Sequence, residues 1–147
     1  MAIDAAFRRE GAPAPVWSSV LSGCQDYGSF AECAVITLVA DGGELVRSLY
    51  GATVPVVAAC TGSAVAGGAL TLLGCDVRVG ADIDCKIGFN EVAIKMVLPD
   101  WAFTIAEDRL SKRHVQRALA NARITTPREA VDVGYIDEVV PAAFVTG

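Results

Sequence analysis

The stretch from Val54 to Cys75, VPVVAACTGSAVAGGALTLLGC, carries no charged side chain and is closed by Asp76. Its first part, Val54 to Cys60, reads as a strand, because Val56 and Val57 are β-branched and Pro55 sits where a strand start tolerates it. Thr61-Gly62-Ser63 breaks that run, and Ala64 to Leu73 follows with helical character and a Gly67-Gly68 pair near its start. The first N–H groups of a helix lack an internal acceptor, and glycine lets a ligand approach them closely. A strand, a glycine-rich turn and a helix start in that order build an oxyanion or phosphate site.

Three other readings compete for the stretch. A bilayer span needs about 20 apolar residues, and the stretch has that length. Four glycines, a proline, two threonines and a serine, however, make it a poor inserter. Gly62 and Gly67 have the spacing of a phosphate loop, yet Gly68 and Ala69 stand where that loop needs its lysine and its Ser/Thr. That reading fails. The glycines can also serve close strand–helix packing alone, and the residues leave this reading open.

The chain has 147 residues, enough for one domain with a buried core. Its 53% hydrophobic content and mean hydropathy of +0.45 fit a buried sheet or surfaces covered by other subunits. A net charge of −5 leaves no basic stripe to neutralise phosphates, which argues against nucleic acid and anionic membranes as partners. The N-terminus carries Asp4, Arg8, Arg9 and Glu10 without an apolar core, unlike a signal peptide. Cys24, Cys33, Cys60, Cys75 and Cys85 form no CxxC pair, so they read as reduced thiols of a cytoplasmic protein. The single histidine, His114, excludes a histidine-rich metal site and reads as a surface residue, so no metal is expected.

Taken in order, residues 1–33 read as an irregular N-terminal segment with a short helix near Val16 to Leu21, and 34–147 as the core. Ala34 to Val39 (AVITLV) reads as a strand ended by Asp41-Gly42-Gly43. Glu44 to Tyr50 reads as a short helix stopped by Gly51, and Val77 to Gly80 and Cys85 to Gly88 as short extended pieces. Trp101 to Leu110 and Lys112 to Asn121 are expected helices with Ser111 as a cap between them. Thr126-Pro127-Arg128-Glu129 is a capping box that starts a helix closed by Gly134. Tyr135 to Val140 is extended, and Pro141 onward is tail.

Glu91 is a lone carboxylate among Phe89, Val92, Ala93 and Ile94. Burial there would raise its pKa toward the value a general acid or base needs near neutrality. An exposed loop glutamate is the competing reading from composition alone.

Three segments then resemble the crotonase family of enoyl-CoA hydratases and isomerases. They are PVVAACTGSAVAGGALTLLGCDVRVGAD (55–82), IGFNEVAIKMVLP (87–99) and TTPREAVDVGYIDEVVP (125–141). The resemblance implies an α/β fold of the ClpP/crotonase type, a spiral of ββα units that here is incomplete. It implies an acyl-CoA thioester as partner, with coenzyme A part of the substrate and no separate cofactor. It also implies a homo-oligomer of three or six copies. Backbone N–H groups would polarise the thioester carbonyl, one of them at Gly67, with Ala66, Gly68, Leu70 and Pro99 around the substrate. Glu91 falls on one of the family's two hydratase glutamates and Leu70 on the other. Leucine cannot carry a proton, and a single carboxylate resembles the isomerase arrangement, in which one base moves a proton along the acyl chain. The nucleophilic serine of the related Clp-type proteases would fall on Ala66, which argues against that chemistry.

Residues 1–53 contain no match to the family's segment for a first oxyanion N–H, and the pattern is shortened at both ends. Two expectations follow: an enoyl-CoA hydratase/isomerase-type enzyme using Gly67 and Glu91, or a catalytically inactive homologue acting as an assembly or regulatory partner of full-length relatives.

Overall fold

The structure, a computed structural model, describes residues 32–146 and the side chains of 38–145. The expected helix near Val16 to Leu21 and Cys24 lie outside the described residues.

Helix α1 spans Glu32–Tyr50. It absorbs both the expected strand Ala34 to Val39 and the expected short helix after it. The strand reading is therefore corrected: a β-branched run makes a strand only where a partner is available to pair its backbone. No described strand pairs with residues 34–39, and a helix satisfies its N–H and C=O groups internally. Gly42-Gly43 does not end α1 either. A Cβ on Gly43 would stand 2.9 Å from the Trp101 indole nitrogen, so the glycine serves close packing.

Strand β1 (Val57–Cys60) is followed by the two-residue β2 (Ala64–Val65), helix α2 (Gly67–Leu73) and β3 (Val77–Ala81). The helix starts three residues later than the sequence suggests, because Ala64 and Val65 pair in parallel with Ile87 and Gly88 of β4 (Ile87–Gly88). A short 3-10 helix (Val92–Ile94), α3 (Asp100–Arg109), α4 (Val115–Leu119), α5 (Pro127–Val133), β5 (Glu138–Val140) and α6 (Ala143–Thr146) complete the order. Strands β1, β3 and β5 form one parallel sheet in that order, with Ala58 opposite Arg78 and Gly80 opposite Val139. Parallel neighbours require crossover connections. Between β1 and β3 the crossover is β2 and α2, which places the glycine-rich turn at one end of the sheet.

Helix α2 is the central element, packed against α1 on one side and α3 on another. Ala69, Leu72, Leu73 and Cys75 are fully or nearly fully buried, with Ile87, Phe89, Tyr135 and Ile136 in the same core. Each such large apolar side chain contributes about 1.5–3 kcal/mol by leaving water. Two charged residues are buried among the described residues, Arg78 and Glu91, and the first of them is clamped. Arg78 of β3 donates from Nε to Asp137 Oδ2 (3.1 Å) and from one terminal nitrogen to the Gly134 carbonyl (2.8 Å).

The C-terminal half follows its local signals closely. Thr126 caps α5, its N–H donates to Glu129 Oε2 (3.0 Å), and the Glu129 N–H donates back to Thr126 Oγ1. Gly134 closes the helix at φ 100°, a left-handed conformation that favours glycine. Ser111 does not cap with its side chain. Its carbonyl accepts from the N–H groups of His114 and Val115, and His114 itself is the N-cap of α4, half-buried rather than fully exposed. Residues after Pro141 are not a plain tail, since Ala143–Thr146 is helical. Cys60, Cys75 and Cys85 are buried free thiols, and burial first, then the Asp76 charge, pushes Cys75 up to about 11. Among the described residues no helix is long and apolar enough to cross a membrane.

Candidate active site

Ala66 links β2 to α2 at φ 55° and ψ −119°, a region that L-residues rarely adopt. Two hydrogen bonds hold it there. The Ala66 N–H donates to the Gly88 carbonyl (3.0 Å), and the Ala66 carbonyl accepts from the Leu70 N–H (3.1 Å). Gly88 is fitted to its side of this contact. At φ 149°, any Cβ would stand 2.9 Å from the Arg123 carbonyl oxygen, which no larger residue accommodates. The Gly67 carbonyl accepts from Thr71 Oγ1 (2.8 Å), while no acceptor among the described residues meets the Gly67 N–H. A strained turn braced on both sides thus leaves a backbone donor free.

Glu91 comes from the segment after β4. Its carbonyl accepts from the Ile94 and Met96 N–H groups (3.1 and 2.8 Å), which closes the loop tightly around it. The residue is only 7% exposed, and among the described residues carboxylate Oε2 is buried without a hydrogen-bond partner. Burial raises its pKa above the ordinary 4.5, against a weaker pull downward from its own and the Asn90 backbone N–H. The exposed-loop reading of Glu91 is thereby excluded.

These two sites share one cavity of about 500 Å³, within the range of small-molecule sites. Ala66, Gly67, Leu70, Glu91 and Pro99 all line it, so five of the six site residues expected from sequence are brought together. Gly68 is not on the wall; it is buried behind it, where an added Cβ would meet Ala64. Leu70, 5% exposed, presents hydrocarbon to the cavity. Apolar residues from α1 (Leu38, Val39, Leu45, Val46) and from the loop and α3 (Ile94, Met96, Leu98, Trp101) complete most of the lining. The charged groups on it are all carboxylates: Asp41, Glu44 and Glu91. Val97, 89% exposed, marks an open rim.

Sequence reasoning missed the α1 wall. Its signal was present, because Leu38, Val39, Leu45 and Val46 recur at i, i+1, i+7 and i+8, a helical face. Reading residues 34–39 as a strand hid that period.

Comparison with known proteins identifies the family. Residues 36–147 match the enoyl-CoA hydratase/isomerase family. The mitochondrial enoyl-CoA delta isomerase 1 of Mus musculus is 39% identical over 99 residues, which cover 67% of this chain and 34% of that relative. An enoyl-CoA hydratase structure from Mycobacterium marinum superposes with TM-score 0.72 at 36% identity, over 76% of this chain and 49% of that one. The structure of human mitochondrial delta3-delta2-enoyl-CoA isomerase gives 0.69 at 34% identity, over 74% and 43%. The chain thus spans about a third of the length of the curated relatives it matches and about half that of the structures. The architecture is an incomplete crotonase fold, and the chain belongs to the enoyl-CoA hydratase/isomerase family.

Proposed function

We propose that this chain binds an acyl-CoA thioester and moves a proton along its acyl chain, the isomerase branch of the family's chemistry. The observation that carries the reading is the buried Glu91 carboxylate, its Oε2 unpartnered among the described residues, on an apolar cavity wall shared with Gly67 and Leu70. The acyl chain occupies the cavity, and the thioester oxygen accepts from the Gly67 N–H. Glu91 takes a proton from the carbon beside the thioester carbonyl, leaving the negative charge on an enolate oxygen. It then returns that proton to another carbon of the same chain as the double bond shifts, so Glu91 ends as it began. A raised pKa suits a base that must also give its proton back near neutrality. One preorganised oxyanion donor is worth about 3 kcal/mol of transition-state stabilisation. Hydration by two carboxylates is disfavoured, since Leu70 occupies the second position. The mouse and human relatives, named as isomerases, support the same choice.

A second reading, an inactive homologue acting as an assembly or regulatory partner, is favoured by exposed apolar side chains. Val92, Ile94 and Val97 near the rim and Phe144 in α6 lie open, and a further copy or a full-length relative would cover them. The measurement that separates the two readings is a thermal melt with and without excess crotonyl-CoA. A ligand at a hundred times its dissociation constant adds about 2.7 kcal/mol to the folded state, and the enzyme reading expects that upward shift. It further expects Glu91→Gln to abolish turnover while crotonyl-CoA binding changes less than about threefold, because the substitution keeps shape and removes only the base. A cooperative melt with no shift, together with oligomers in sedimentation, would establish the assembly reading instead.

A further inference from the structure

The segment that carries Glu91, and the turn packed on it, contain buried polar atoms that the proposed proton transfer does not use. Tyr135, at the turn between α5 and β5, is 0% exposed, and among the described residues its phenol O–H meets no acceptor. Its ring packs on the segment that carries the site glutamate: the Phe89 ring meets it edge to face, centroids 5.5 Å apart and planes at 68°. In that same segment Glu91 Oε2 and Asn90 Oδ1 are also buried and unpartnered. One orphaned donor hydrogen and two orphaned acceptors thus belong to two segments joined by this ring contact. Buried polar groups are almost always satisfied, and an ordered water making about three hydrogen bonds is the usual way where protein groups do not reach each other. A water accepts from one O–H and donates two hydrogens, which matches this set.

We infer that Tyr135 is a positioning residue for Glu91: its phenol O–H donates to an ordered water, which donates in turn to Glu91 Oε2 and to Asn90 Oδ1. The inference rests on the use of Glu91 as the proton carrier proposed above, and it says how that carboxylate is aimed. The phenol remains a neutral donor throughout the working range, since burial holds it well above its ordinary value, against a pull downward from the Phe89 backbone N–H and with a smaller push upward from the Glu91 charge. Donation favours the ionised carboxylate and so offsets part of what burial does to Glu91. The other charged groups around that carboxylate are Asp41 and Glu44 of α1, which line the same cavity, and Lys95, exposed on the same loop.

The test is the titration of Glu91, read by infrared difference spectroscopy of the carboxylate against the Glu91→Gln protein. Tyr135→Phe keeps the ring contact with Phe89 and removes only the donor. Its Glu91 titration is expected to move up by about one pH unit, the size of one hydrogen bond to a charged group. Site-specific 3-fluorotyrosine at position 135, a stronger donor, is expected to move the titration down. If Tyr135→Phe does not melt cooperatively, the 3-fluorotyrosine protein decides alone. A Glu91 titration unmoved in the folded variants overturns the inference. The readout needs no turnover, so it stands or falls separately from the activity: a Glu91→Gln protein with full turnover removes the acid/base reading and leaves the Tyr135 result intact.

Discussion

At the residue scale, Glu91 carries a conflict between folding and chemistry. Burial lifts its pKa above the ordinary 4.5, so the folded state resists ionising it. For a carboxylate raised in this way, the stability it contributes is fully present below about pH 4.5 and is lost as pH rises through the folded value. At pH 7 the ionised side chain therefore weakens the fold. Glu91→Gln should raise the melting midpoint at pH 7 by roughly 3–5 °C for each pH unit of that upward displacement, and the gain should vanish at pH 4. A variant that melts lower at pH 7 would show that the carboxylate is better solvated than its burial implies. Ala66 is a second residue held against its preference, in a conformation costing about 1–3 kcal/mol that the Gly88 and Leu70 contacts sustain. The candidate role of Gly67 was indicated by the glycine-rich turn before a helix start, and that of Glu91 by the resemblance of its segment to the family. The burial of Glu91 and Tyr135 was not, since both face groups that lie far away along the chain.

At the element scale, α5 is fixed by neighbours within four residues. Glu129 is held below its ordinary value by the Thr126 N–H first, then by the Thr126 hydroxyl and Arg123. Thr126→Ala removes one half of the capping box and should cost about 1 kcal/mol, or roughly 2–4 °C in midpoint. In a Glu129→Ala background the same change should cost clearly less, because the two side chains act as a unit. Equal losses in both backgrounds would show that they act independently. This element was fully readable in advance. Helix α1 was not. AVITLV has strand propensity, and only the absence of a pairing partner among the described strands, with Trp101 packed on Gly43, makes it helical.

At the scale of the whole molecule, the Arg78–Asp137 pair ties β3 to the turn before β5. Partial burial pushes Asp137 up, but the Arg78 hydrogen bonds outweigh it and hold the carboxyl below its ordinary 3.8. The pair's contribution is thus present above about pH 4 and is lost as pH falls through the lower folded value. Asp137→Asn should cost about 1–3 kcal/mol at pH 7, less than a fully buried pair because Asp137 is partly in water. It should also flatten the fall in midpoint below pH 4, and an acid limb unchanged by the substitution would assign that limb to other carboxylates. What the sequence by itself determined is local: the glycine-rich turn, the capping box, the left-handed glycine, and three segments specific enough to indicate the family. Their causes lie within a few residues of one another. The tertiary structure alone decided that α1 is a helix, that Arg78 is buried and clamped, and that Glu91, Gly67 and Leu70 line one cavity. Those outcomes depend on backbone pairing and desolvation set by elements distant in sequence, and no local pattern encodes which distant surface will be there.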